Sequence, residues 1–344
     1  MAVYEVDPRL DARWTALVES HPDSSVFHTL DWLNALERTY RYTPRVFTTT
    51  PPGSPLLNGI AFCQVDSWLT GSRLVSLPFS DHCEPLIHGD EDLPELLSHI
   101  ASQTAGKLRY SEIRPRMMEM SVPNFRVTGR FSFHALDLEP GIDELYSHLH
   151  KDSIQRKIQR AGREGVVVEE GRSEQLLNQY YGLLMLTRRR HGVPPQPYRW
   201  FRNLTECFGP RLTIYVARLR DRPIASILTL RHKKSIVYKY GCSDAHFHNA
   251  GAMPQLFWHV IQQAKSEERT EMDLGRSEED NPGLIQFKNR LGAKCTTISY
   301  WRRSSRVSTE SSNQQQNHLR SKVLSRLPDI LFRLSGEIFY RHAG

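Results

Sequence analysis

Asp273-Leu274-Gly275-Arg276-Ser277, followed by Pro282-Gly283-Leu284-Ile285-Gln286-Phe287-Lys288 and then Leu291-Gly292-Ala293-Lys294, constrains this chain more than any other stretch. It reads as a short strand, a polar turn, a short helix and a second strand. Met272 and Leu274 flank an acid, so Asp273 points to the opposite face from its neighbours. Gly275 permits a tight exit from the strand, with Arg276 and Ser277 at its carboxyl end. Asn281 suits a helix N-cap and Pro282 the first helical position. Lys288 then lies on that helix, beside Phe287. In open α/β sheets, ligands bind just outside the carboxyl ends of strands. An Asp, an Arg and a Lys gathered there predict a site for an anionic or polar substrate.

The 344 residues favour about two domains. A composition of 39% hydrophobic and 24% charged residues is that of a globular protein and excludes disorder over most of the length. The five cysteines, Cys63, Cys83, Cys207, Cys242 and Cys295, are odd in number, and none pair at C-x-x-C spacing. A disulfide framework and a zinc site are therefore not expected, and a reducing compartment is. The start, Met1 to Asp7, has neither a basic nor an apolar signal region, and no run approaches the ~18 apolar residues of a membrane span. The expectation is a cytoplasmic protein with no transmembrane segment. Net charge is +7, and residues 302–344 hold eight Lys or Arg against Glu310, Asp329 and Glu337. Such a tail suits a solvated helix end, nucleic acid, or the inner face of an anionic membrane.

Along residues 2–138 strands alternate with helices: strands near Val3–Val6, Arg45–Thr50, Ile60–Asp66, Arg73–Phe79, Lys107–Ile113 and Phe131–Leu138, and helices at Pro8–Ser20, Thr29–Tyr40 and Leu93–Ala101. Residues 139–303 repeat the theme. Ser153 caps a helix to about Ala161, and Val166-Val167-Val168 reads as a buried strand. Helices follow at Glu174–Arg190 and Tyr198–Phe208, three strands meander over Leu212–Arg218, Pro223–Leu230 and Ser235–Gly241, and Pro254 opens a helix to about Lys265. Residues 304–318, rich in Ser, Gln and Asn, read as a linker. Residues 319–344 read as a helical segment, broken near Pro328, that docks back on the body.

These features resemble the FemABX-like branch of the GNAT acyltransferase superfamily. The branch carries a D-x-G strand end, a "gl-x-x-FK" helix and a following glycine, matched by Asp273 to Gly292. Phe27-His28-Thr29-Leu30-Asp31-Trp32 resembles its amino-terminal helix start, Leu77-Pro78-Phe79-Ser80-Asp81 its "LPFSD" turn, and Ser153 to Ala161 the helix that opens its second domain. The likeness spans nearly all of residues 1–303. It implies an α/β (α+β) fold of two tandem GNAT-like domains, each a mixed, mostly antiparallel sheet flanked by helices. The first, at 1–138, would be degenerate, and the second, at 139–303, would be the acyltransferase.

Acyl transfer requires that a donor be held, that the acceptor lose a proton, and that charge on the carbonyl oxygen be stabilised. The resemblance implies Lys288 as oxyanion stabiliser, with Asp273 taking or orienting the acceptor's proton. A surface lysine and a strand-end acid paired with Arg276 are the plainer alternatives. Tyr238 and Tyr240 share a strand face with Lys239 opposite, and Tyr240 is carried as a third catalytic candidate. Substrate contacts are expected from Arg276, Ser277, Phe287 and Trp32, and from Arg156 and Arg160, four apart on one helix face with Arg163. In the family the donor's phosphates sit at a helix start within Q/R-x-x-G-x-G/A. Here that place reads His248-Asn249-Ala250-Gly251-Ala252-Met253-Pro254, so Asn249, Gly251 and Ala252 are the donor-binding candidates, with His248 and Met253 departing from the pattern. Arg188-Arg189-Arg190-His191 has no assigned role.

The expected activity is transfer of an acyl or aminoacyl group to an amine or hydroxyl of a cell-envelope precursor, a peptidoglycan precursor or an exopolysaccharide. The co-substrate would be acyl-coenzyme A or aminoacyl-tRNA, with no tightly bound cofactor and no metal. A FemABX-type, aminoacyl-tRNA-dependent peptidoglycan-bridge transferase is an alternative within the family. Outside it stand a non-catalytic nucleic-acid-binding or scaffold protein using the basic tail, and an inactive relative serving polysaccharide export.

Overall fold

The computed structural model describes residues 2–88, 92–104, 108–117, 124–304 and 324–344. The chain divides into two compact units. The first comprises residues 1–131, 298–312 and 338–344, and the second residues 132–297 and 313–337. The division falls inside the strands at 126–137 and 294–304 and inside the helix at 329–343.

In the first unit, β1 (Tyr4–Val6), β2 (Thr43–Thr48), β3 (Ile60–Val65), β4 (Arg73–Val75) and β5 (Tyr110–Ile113) stand side by side in that order. The β1-β2-β3-β4 pairings are antiparallel and β4-β5 is parallel. Residues from Trp301 onward in β12 (Lys294–Ser304) pair antiparallel with β5. Helices α1 (Ala12–Ser20), α2 (Leu30–Tyr40) and α3 (Asp92–Thr104) accompany this sheet. Asp11 caps α1 by accepting from Arg13 N at 3.0 Å. Arg41 ends α2 in a left-handed conformation, φ 60°. Phe47, Ile60, Phe62 and Leu74 pack against Leu96, Leu97 and Ile100 of α3 to form one core.

In the second unit the order runs from the end of β6 (Arg126–Asp137) through β11 (Glu271–Glu278), β10 (Ser235–Ser243), β9 (Arg222–His232) and β8 (Leu212–Leu219) to β7 (Val167–Gly171). Neighbours from β7 to β10 are antiparallel, and β10-β11 is parallel. Helices α4 (Ile142–His148), α5 (Arg156–Glu164), α6 (Glu174–His191), α7 (Tyr198–Phe208), α8 (Ala252–Ser266) and α9 (Pro282–Arg290) surround it. Each sheet is mixed and mostly antiparallel, as the sequence leads one to expect.

Three local expectations change. Val167 is 64% exposed, because β7 is an edge strand paired only with β8. The helix holding Ser153 opens with a π-turn at Lys151–Gln155, and its cap is the His150 side chain, whose Nδ1 accepts from Ser153 N. The strand carrying Asp273 does not end at Gly275 but runs to Glu278, with Gly275 at φ 70° inside it. The expected linker lies outside the described residues except for Ser304. Beyond it, α10 (Asp329–Ala343) begins just after Pro328. In the second unit Arg189 donates to the carbonyls of Ser325 and Leu327 ahead of this helix. In the first, Tyr42 Oη donates to Tyr340 O, and Arg73 to the carbonyls of His342 and Gly344.

Candidate active site

The site of the second unit begins where two strands part. β10 and β11 pair over only three residues, from Ser235/Glu271 to Val237/Asp273. Immediately beyond, β10 shifts register against β9 between Tyr238 and Tyr240, so Lys239 is an extra residue. A bulge of this kind twists the strand away. It also reverses the expected side-chain alternation. Tyr238 packs on Phe257 of α8 at 4.8 Å, and Tyr240 packs on Phe201 of α7 at 5.2 Å. The two tyrosines therefore do not share a face. Tyr240 Oη accepts from Trp200 Nε1 at 2.9 Å. Gly241 closes the bulge, and a Cβ there would collide with the Tyr238 hydroxyl.

The other lip of the split is β11. Asp273 is buried, and its Oδ1 accepts from Gly275 N at 2.6 Å. Lys288, on α9, is buried as well, and its Nζ donates to Gly275 O at 3.0 Å and Arg276 O at 3.1 Å. The acid and the amine thus meet the same glycine, one at its amide and the other at its carbonyl. α9 is oriented for this by Asn281, whose Oδ1 accepts from Leu284 N. The plain reading of Lys288 as a surface lysine is excluded by its 2% exposure. Arg276 pairs with Glu278 at 2.8 Å. Ser277 is buried, and its hydroxyl has no hydrogen-bond partner among the described residues.

A cleft of about 1390 Å³ opens beside these elements. The π-turn contributes Ser153 and Ile154, and α5 contributes Lys157. α6 contributes Arg188, Arg190 and His191 from its last turn, and α8 contributes Ala252, Met253 and Pro254 from its first. Phe287 and Arg290 complete it from α9. Gly251 is the N-cap of α8 at φ 78°, with no side-chain cap. A Cβ at Gly251 would strike the Lys157 carbonyl, so only glycine lets the helix start approach α5 this closely. The first amides of α8 therefore open toward the cleft with the positive end of the helix behind them. Pro254 subtracts one amide, and Lys157, Arg188, Arg190 and Arg290 add four cations around the cavity.

His248 stands at this edge. Its Nε2 accepts from Ser243 Oγ at 3.0 Å and Arg190 Nη1 at 3.3 Å. Burial, then Arg190 and Lys157, hold its pKa below the ordinary imidazole value, so it is a neutral acceptor. His191 is lowered in the same way by burial, Arg190 and Arg188. Asp244 also lines the cleft but is engaged by Arg222 at 2.9 Å and His246 at 2.8 Å.

The structure thus brings Asp273, Gly275 and Lys288 together, and gathers Phe287 and Ala252 on the cleft. It places other candidates elsewhere. Arg156 and Arg160 are 67% and 50% exposed and are tied to Asp152 and Glu164 on their own helix, while the intervening Lys157 reaches the cleft. The apolar stripe of Ile154, Ile158 and Ala161 fixes that rotation. Trp32 is wholly buried in the first unit with its ring 4.9 Å from Phe27, so it offers no surface to a substrate. Asn249 is exposed in the 3-10 turn Ala245–Ala250. Arg188, Arg190 and His191 at the α6 carboxyl end line the cleft and were not singled out from the sequence; the signal was the Arg188-Arg189-Arg190-His191 run itself. Among the described residues no cluster of three or more His, Cys, Asp or Glu is arranged to hold a metal.

Comparison with known proteins agrees with this geometry. Residues 149–289 match the acetyltransferase (GNAT) domain family. Over 145 residues the chain is 27% identical to the UDP-N-acetylmuramoylpentapeptide-lysine N(6)-alanyltransferase of Weissella viridescens, a match that takes in 41% of this chain and 43% of that protein. The chain thus spans less than half the length of that curated relative. The crystal structure of FemX superposes with a TM-score of 0.67 at 14% identity, over 93% of this chain and 100% of that one. A tandem GNAT protein from the clavulanic acid biosynthesis pathway gives 0.54 at 11% identity, over 89% and 100%. At such identities the structural likeness establishes the tandem fold. The matched domain runs from the lead-in to the π-turn as far as Asn289, and the fold around it is similar to that of FemX.

Proposed function

We propose that the second unit transfers an acyl or aminoacyl group to an amine or hydroxyl of a cell-envelope precursor. The observation that carries this is the uncapped start of α8, opening beside four cations onto a cleft next to the split of β10 from β11. Phosphates of the donor would lie on the amides of Ala252 and Met253, held by Lys157 and Arg190. This fits both acyl-coenzyme A and the terminal phosphates of an aminoacyl-tRNA. Side-chain charge here makes up for the amide that Pro254 removes.

The acyl carbonyl would then reach the split of β10 from β11, where Tyr238 and Gly241 line the cleft. The acceptor's nitrogen or hydroxyl oxygen attacks the carbonyl carbon, the bond to the donor's sulfur or oxygen breaks, and the acceptor's proton passes to that departing atom, which leaves as a thiol or hydroxyl. Lys288 and Asp273 act as positioning residues in this reading. They clamp the carbonyl and the amide of Gly275, and so fix the strand end that the acceptor meets. Ser277, with its buried unpartnered hydroxyl, is the acceptor-side contact. Tyr240 is held by Trp200 at the far side of the bulge and supports its shape.

The relative's name supplies the first acceptor to try, the lysine side-chain amine of a UDP-muramoyl-pentapeptide. The purified protein is incubated with that acceptor and either acetyl-coenzyme A or alanyl-tRNA, and the acceptor is weighed by mass spectrometry. A mass gain on the lysine amine with one donor is expected. No gain with either donor on any muramoyl acceptor rejects the reading.

A further inference from the structure

In the second unit, the single fully buried side chain of α9 is not apolar but Lys288. Phe287 packs on Phe257 at 5.3 Å, and Leu284 and Ile285 are half-buried, so apolar burial anchors the helix only in part. Polar ties supply the rest. Asn281 caps the first turn, and Lys288 Nζ reaches the carbonyls of Gly275 and Arg276. In the last turn His150 N donates to Arg290 O at 2.9 Å. A further tie comes from β6, the strand beside β11, where His134 Nε2 lies 3.0 Å from Asn289 Oδ1.

His134 is wholly buried. An amide oxygen accepts and does not donate, so Nε2 carries the ring proton and Nδ1 is a bare lone pair. Nδ1 is buried with no hydrogen-bond partner among the described residues. A buried acceptor in that state is costly, and an apolar side chain would fill the space without the cost. The ring is therefore accounted for by the bond that Nε2 makes. Burial, and after it Lys288, hold the His134 pKa below the ordinary imidazole value, although Asn289 pulls it upward. The ring is thus neutral at pH 7 and adds no second cation beside Lys288. We propose that His134 is a positioning residue of the acyl transfer, fixing the rotation of α9 through Asn289 and so keeping Lys288 on the carbonyl of Gly275. Asn289 follows Lys288 in the helix, about 100° further round. The two side chains therefore grip different strands, β6 and β11, and a helix tied at two points of its circumference cannot roll. The inference rests on the acyl-transfer reading for the reaction it serves.

In the full chain, His134→Leu removes the donor, and His134→Gln returns an N–H near the place of Nε2. Asn289→Leu removes the acceptor instead, from an exposed position that keeps the test open if the buried variant fails to fold. The amide resonances of Gly275 and Arg276 are followed by NMR without substrate, and kcat and the donor KM are measured on the acceptor that the parent chain modifies. Both Leu variants should shift the two amides and lower kcat about 10- to 100-fold, with the donor KM within about twofold, and His134→Gln should recover most of the loss. The proposal is overturned if the Gly275 amide stays in place in both Leu variants, if His134→Gln is no better than His134→Leu, or if the loss falls on KM. The NMR arm needs no turnover: a parent chain that transfers nothing rejects the reaction, while the amides still decide whether His134 sets α9.

Discussion

Both units contain a parallel strand pair that lasts three residues, and they treat its end in opposite ways. In the second unit β10 and β11 part after Val237/Asp273, and a bulge helps to open the cleft. In the first unit β4 and β5 pair from Arg73/Tyr110 to Val75/Glu112, and the gap beyond is filled. Ser76 N donates to Glu112 O at 2.8 Å, Cys83 bridges to Arg114, and Arg114 donates to the carbonyls of Leu77 and Ser80. The Glu112 carboxylate lies between Arg114 and Arg302, each at 2.8 Å. The same backbone feature thus lies beside a cleft in one unit and under a buried ionic knot in the other. What distinguishes them is that side chains and backbone fill the gap in the first unit, while a cleft lies beside it in the second.

The knot offers the largest expected effect. Arg114→Ala leaves the buried Glu112 carboxylate with Arg302 alone and should cost about 3 kcal/mol, read as a lower denaturant midpoint. Burial alone would raise the Glu112 pKa, but Arg114 and Arg302 outweigh it and hold it below the ordinary value. A depressed carboxylate stabilises the fold above its unfolded pKa, so this contribution is present at neutral pH and fades as pH falls through the lowered value. A variant as stable as the parent would mean that the gap is not held shut by charge.

The cleft offers the next effect, on binding and not on folding. Lys157→Ala together with Arg190→Ala should weaken donor affinity by about 10- to 100-fold in calorimetry while leaving the unfolding midpoint nearly unchanged. An unaffected affinity would move the donor away from α8. Lys288→Ala sits between the two cases. It leaves the carbonyls of Gly275 and Arg276 without their shared donor and should cost about 1–3 kcal/mol of stability, together with turnover. Turnover lost at full stability would instead make Lys288 a group that contacts the substrate. The smallest effect is electrostatic. The His248 ring should titrate by NMR below the ordinary imidazole range, and Arg190→Ala should move it back upward. Since its folded pKa is lowered, its contribution to stability is present above the unfolded value and is lost as pH falls. An unchanged titration in Arg190→Ala would leave burial as the cause.

Much of this was legible in the chain. The D-x-G strand end, Asn281 as cap, Pro282 at the first helical turn and Lys288 on that helix are local features, written in turn and cap chemistry. The three meandering strands from Leu212 to Ser243 were legible for the same reason, from the turns between them. The bulge at Lys239 was not, because register depends on how β9 meets β10, and it turned an expected pair of tyrosines toward different helices. The rotation of α5, which sends Lys157 and not Arg156 or Arg160 to the cleft, is set by packing beneath the helix. Trp32 looked like a motif residue and is a core residue, since a sequence motif does not state which side of a helix is covered.

By itself, then, the sequence determined the elements and their punctuation: strands, caps, left-handed glycines and the chemistry at the end of β11. Those depend on neighbours a few residues away. Only the tertiary structure decided which cations surround the cleft, that Gly275 is gripped from both sides, and that one parallel pair opens while the other closes. These depend on register and helix rotation, which are fixed by contacts between residues far apart in the chain, and no local pattern carries them.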